Sequence, residues 1–108
     1  ILITHAHIGH YAGLMQLGRE ALGSKDVPVY VMERMANFLT NHGPWSQLVT
    51  LHNISLRVIT SESLSLAPGI DVRAFTVPHR DEFSETAGFR ITTSTKKYLF
   101  IPDIDKWE

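Results

Sequence analysis

The chain is 108 residues long and 44% apolar, with ten basic against eleven acidic side chains and a net charge of −1. That suffices for one modest core. The charge balance, with Lys96 and Lys97 the only adjacent basic pair, excludes the basic footprint that bulk nucleic-acid binding requires, so nucleic acid is not indicated as a partner. No stretch approaches the roughly 18 to 20 apolar residues of a membrane-spanning helix. The absence of cysteine removes disulfides and thiolate zinc sites and leaves the compartment open. The chain opens without Met, inside what reads as a buried strand, and is expected to be an excerpt of a longer protein comprising part of one domain over residues 1–108.

In chain order, Ile1 to Thr4 is apolar and β-branched, suited to a short buried strand. From Tyr11 onward, Leu14, Met15, Leu17, Ala21 and Leu22 draw one apolar stripe at helical spacing, which predicts an amphipathic helix stopped by Gly23 and Ser24. Val27 to Met32 reads as a second buried strand. Met32, Met35, Ala36 and Leu39 mark another helix ending at Asn41, His42 and Gly43, and Pro44 can begin a further short turn. After Asn53 the period shortens to two: Ile54, Leu56 and Val58, then Leu64 and Leu66, then Ile70, Val72, Ala74 and Thr76, alternate with polar neighbours. Ala87 to Thr92 and Tyr98 to Ile101 read as two more strands, joined by the polar TTSTKK turn. Two helical segments among strands predict an α/β (α+β) layered fold with a mixed sheet.

Function is concentrated in the opening ILITHAHIGHYAGL, where three of the six histidines fall within six residues. His5 and His7 lie two apart behind a strand. In extended backbone such residues point the same way, so both imidazoles can converge on one ion. His10 sits where the chain turns into the helix and can return toward the same pocket. Clustered neutral imidazoles suit a borderline metal such as zinc, and ligands in α/β folds gather beyond the carboxyl ends of strands. His79, after an alternating strand and Pro78, and Asp103, after another strand and Pro102, are further candidates at strand ends. His42 and His52 read as ordinary surface histidines.

The segments THAHIGH, VPHRDEFSETAGFRI and YLFIPDID, in that order along the chain, resemble the metallo-β-lactamase fold hydrolases, whose hallmark is H-x-H-x-D-H, a distant His, an Asp at a strand end and a last His. Within that superfamily the later segments are most similar to hydrolases of the pyrroloquinoline quinone biosynthesis protein B type. The resemblance implies a four-layer αββα sandwich, of which this chain would be an inner portion. It also implies that His5, His7 and His79 hold a first metal, that His10 serves a second, and that Asp103 bridges both. One or two zinc ions are the implied cofactor, with manganese or iron as alternatives suited to a His and Asp site. The implied chemistry is hydrolysis of a small-molecule ester, lactone or phosphodiester-type substrate by hydroxide formed on the metal, which lowers the pKa of its water from about 15.7 toward 7. His10 and Asp103 would be its catalytic residues.

Two departures stand against a complete site. Gly9 replaces the carboxylate of the hallmark, and no final histidine follows within the chain. A strong first site and a weak second one are expected, because catalytic zinc ordinarily has three protein ligands. Asp81, Glu85 and Asp105 are nearby carboxylates that read better as turn and strand-end residues than as replacements. The alternative function is a non-catalytic metal-binding or scaffold domain with a degenerate second site. Side-chain nucleophiles are not supported: there is no cysteine, no G-x-S-x-G elbow, and Ser84 has no evident base. Trp45, Trp107 and Phe100 belong either to the core or to an apolar face.

Overall fold

The computed structural model describes residues 1–60 and 62–107 and divides the chain between two sheets. Strands β1 (Val27–Val31) and β2 (Ile54–Val58) pair in parallel, with Val29 opposite Leu56. The connection between them carries helices α2 (Glu33–Asn41) and α3 (Trp45–Thr50). The first four residues run alongside β1, held by a parallel bridge between Leu2 and Tyr30, with the Ile3 N–H donating to Tyr30 O at 3.1 Å. Four further strands, β3 (Leu64–Ala67), β4 (Ile70–Thr76), β5 (Ala87–Thr92) and β6 (Lys97–Phe100), form an antiparallel sheet in sequential order. The mixed α and β architecture expected from the alternation is present, with its parallel and antiparallel parts in separate sheets.

The period-two pattern of β4 has the expected consequence: Val72 and Ala74 are buried while Asp71 and Arg73 face outward. With Ile59, Ala87 and Phe89 they form one core. The second core joins Ile3, Val29, Val31 and Ile54 to Leu14, Met35, Leu39 and Leu48 from the helical segments. Burial of each such side chain contributes about 1.5 to 3 kcal/mol. Gly88 and Phe89, adjacent on β5, take opposite faces. Phe89 is core, while the Phe75 ring lies so close over Gly88 that an added Cβ would meet it at 2.7 Å. That glycine is therefore a sheet residue required by a packed ring.

The predicted helix over Tyr11 to Leu22 is corrected. The chain forms a single α turn, α1 (Ile8–Tyr11), followed by a 3₁₀ segment over Ala12–Leu17 that ends where the Gly18 N–H donates to Met15 O. Gly13 and Gly18 weaken an α-helix here. Gly18 is buried, and a Cβ there would stand 3.1 Å from Met15 O and 3.4 Å from the Leu48 side chain. Leu14 remains in the core, but Met15, Ala21 and Leu22 are exposed, so the stripe drawn by spacing is not a buried face. Helix α2 follows its periodicity: Met35, Ala36 and Leu39 are buried. Met32 supplies no side-chain cap to it. The Arg34 N–H is instead taken by Glu85 Oε1 at 3.1 Å, from a loop 51 residues away.

Candidate metal centre

Two loops meet at one end of the sheets. The first, Thr4 to His7, joins the opening extended segment to α1; the second runs from Val77 to Thr86 between β4 and β5. Two hydrogen bonds lock them together, and a third braces the second loop internally. The Ala87 N–H donates to Thr4 O at 2.9 Å, the Ala6 N–H donates to Ser84 Oγ at 2.9 Å, and that hydroxyl donates onward to Glu85 O at 2.9 Å. Ser84 is thus a buried strut between loops, consistent with its lack of a base. A third segment, after β6, joins the same corner through the Asp105 N–H to Pro78 O at 2.8 Å.

This framework brings together residues far apart in sequence. Donor atoms of His5, His7, His79 and Asp103 all lie within 4.8 Å of one another. His5 Nε2 is 3.0 Å from His7 Nδ1 and 3.3 Å from Asp103 Oδ2, and His79 Nε2 is 3.8 Å from the same oxygen. Each imidazole is held from behind by an oxygen. Thr4 Oγ1 is 2.9 Å from His5 Nδ1, Glu82 Oε2 is 2.9 Å from His7 Nε2, and Asp105 Oδ1 is 2.9 Å from His79 Nδ1. With the rear nitrogens donating, the forward nitrogens are left as lone pairs aimed at one another and at a carboxylate oxygen. A cation at their centre would meet those lone pairs; with the Thr4 hydroxyl donating to His5 Nδ1 instead, the His5 Nε2–H would donate to His7 Nδ1.

Electrostatics agree with a neutral His5 ring. Burial first, then the neighbouring His10 and His7 rings, push His5 down to about 4 from the ordinary 6.5, against the opposing pull of Asp103. The hydrogen bond from His7 is the main cause holding the Glu82 carboxyl below the usual carboxylate range. His79 Nε2 is buried and has no hydrogen-bond partner. A buried, unpartnered acceptor is costly unless something else meets it. The spacings fit an ion: two donors about 2.0 to 2.1 Å from a tetrahedral zinc stand roughly 3.3 Å apart.

His10 belongs to the same cluster of rings, its centroid 4.4 Å from that of His5, but its Nε2 contacts Asp103 Oδ2 at 2.8 Å and lies outside the four-donor group. Gly9 brings no donor, and an added Cβ there would meet nothing within 4 Å. The other acidic residues have separate work. Asp105 anchors His79, Asp81 accepts the Thr86 hydroxyl at 2.8 Å, and Glu85 caps α2. His42 and His52 are on the surface, where His42 stacks on Phe38 and His52 is 3.7 Å from Asp26. Thr4, Glu82 and the anchoring role of Asp105 were not legible in the sequence. A carboxylate three residues after His79 and another two after Asp103 were the available signals, but neither says which ring it will meet.

A parallel α/β unit and an antiparallel sheet, with imidazoles converging at their shared corner, make an α+β domain whose clustered donors could hold a metal ion. The chain belongs to the β-lactamase superfamily domain family, whose model matches residues 1–108. Zinc-bound PqqB from Methylobacterium extorquens is similar in structure, with a TM-score of 0.79 at 19% identity over 99% of this chain and 39% of that one. The metallo-β-lactamase fold protein YhfI from Bacillus subtilis is similar at a TM-score of 0.60 and 16% identity, over 91% of this chain and 38% of that one. This chain therefore spans about two fifths of the length of those proteins. No curated protein matches the sequence. Among the described residues no helix is long and apolar enough to cross a membrane.

Proposed function

We propose that the chain carries the first metal site of a metal-dependent hydrolase acting on an ester, lactone or phosphodiester-type bond of a small molecule. The observation that carries this reading is the set of three imidazoles, each anchored from behind, whose forward nitrogens converge with Asp103. His5, His7, His79 and Asp103 would hold the ion. Zinc is the first candidate, supported by the donor set and by the zinc-bound PqqB of similar fold, with manganese or iron as alternatives. When bound, such an ion supplies an activated water at neutral pH and polarises the oxygen of the bond to be cut.

The rest falls to the chain's own residues. Thr4, Glu82 and Asp105 fix which nitrogen of each ring faces inward, so no reorientation is needed on binding. Asp103 orients His10, and His10, half-exposed at the edge of the cluster, is placed to give a proton to a leaving group. A second reading, a metal-binding or scaffold domain without turnover, is favoured by Gly9, which brings no donor where the hallmark has a carboxylate and leaves His10 and Asp103 as the second-site candidates among the described residues.

Elemental mass spectrometry of the purified chain, beside His7→Ala and Asp103→Ala, tests the first step. About one equivalent of metal, lost in His7→Ala, is the expected result; a folded chain without metal under replete conditions would refute it. Hydrolysis of p-nitrophenyl acetate, a γ-lactone or bis(p-nitrophenyl) phosphate by the loaded chain, lost in His10→Ala with metal retained, separates the hydrolase from the scaffold.

A further inference from the structure

A cavity of about 430 Å³ opens on the side of the cluster where His7 stands. Its walls are aromatic and come from four separate segments: Tyr11 from α1, Phe38 from α2, Trp45 from α3, and Phe83 from the loop that also carries His79 and Glu82. The rings are arranged edge to face, Tyr11 against Trp45 at 4.8 Å and against Phe38 at 5.3 Å, while Phe83 leans over Phe38 at 5.9 Å. His42 stacks on Phe38 at 4.8 Å and closes one side. At the mouth, Phe83 is 60% exposed and Ile8 72% exposed.

We propose that this cavity takes an aryl group of the substrate, presenting the bond to be cut toward the His7 side of the metal centre. The inference rests on the hydrolase reading for the role of that bond and deepens it by naming the substrate class. Aromatic walls select a flat ring because ring pairs gain in edge-to-face or offset contact beyond their buried area, whereas a flexible alkyl chain gains burial alone. The volume accommodates one or two rings. Phe83 is the specificity-determining residue: it sits one position after the Glu82 that orients His7, so the ring clamp and the metal ligand share a short piece of backbone.

The test uses acetanilide as aryl probe and N-hexylacetamide as aliphatic match, in the Trp107→Phe background. Trp107 is 76% exposed, and its removal leaves Trp45 as the sole reporter of the cavity. Binding is followed by Trp45 emission and by saturation-transfer NMR, in chelator and again with zinc. Acetanilide should bind at least fivefold more tightly than the aliphatic amide, and Phe38→Leu and Phe83→Leu should each weaken it about three- to tenfold. Phe83 is mostly solvent-facing, so its variant does not threaten the fold. Equal binding of the two probes, or aryl binding that neither variant changes, overturns the proposal. Because the chelated chain is measured separately, aryl binding without any metal uptake would refute only the metal reading.

Discussion

The depressed His5 ring makes the metal-free chain acid-sensitive in a defined window. Its folded value of about 4 lies below the unfolded 6.5, so between those values the unfolded chain binds a proton that the folded chain refuses. Stability therefore falls as pH drops through 6.5 and levels off below 4. With His5 only 1% exposed, solvent screening offers little relief. One proton corresponds to at most about 1.4 kcal/mol per pH unit, and the whole window to about 3 kcal/mol; lowering the pH from 7 to 5 costs about 2 kcal/mol. For a domain whose total stability is about 5 to 15 kcal/mol this is a large fraction. The assay is urea unfolding followed by circular dichroism in chelator from pH 7.5 to 4, beside His5→Gln, which keeps a polar side chain near Thr4 and cannot titrate. The wild type should lose about 2 kcal/mol more than the variant between pH 7 and 5. Parallel stability curves for the two proteins would show that folding leaves proton binding at His5 unchanged and would refute the account of lone pairs facing inward.

The anchors predict their own effects. Glu82→Gln and Asp105→Asn should each weaken zinc binding about 10- to 100-fold in a competition titration with a chromophoric chelator, while the far-ultraviolet spectrum stays unchanged. His79→Ala should abolish binding of the first ion, whereas His10→Ala, which removes a contact to Asp103 and a ring neighbour of His5 but none of the four donors, should leave its affinity within a few-fold; equal losses would place His10 in the first site. Ser84→Ala deprives the buried Ala6 N–H of its acceptor at a cost of about 1 to 3 kcal/mol, read as a fall in Tm of roughly 5 to 15 °C, and an unchanged Tm would remove Ser84 as the strut between loops.

Much of this molecule is written locally. Two-residue alternation at Ile70 to Thr76 and helical spacing at Met35, Ala36 and Leu39 name their elements, because each repeat mirrors the geometry of the backbone that must bury one face. His5 and His7 are legible as a pair for the same reason, and the ordered motifs are enough to indicate the superfamily. The stripe from Tyr11 to Leu22 misleads, because apolar spacing takes no account of Gly13 and Gly18, which weaken an α-helix, and the chain forms a 3₁₀ segment over Ala12–Leu17. Only the tertiary structure decides how the rings are held. His7 meets Glu82 across 75 residues and His79 meets Asp105 across 26, through loops with no period of their own. It also decides that Asp105 anchors the His79 ring while Asp103 joins the candidate donors, although both follow the same strand. The sequence determined which chemical groups are present and which backbone presents them; the convergence of lone pairs and the aromatic cleft beside them depend on distances between segments, which exist only once the two sheets have packed.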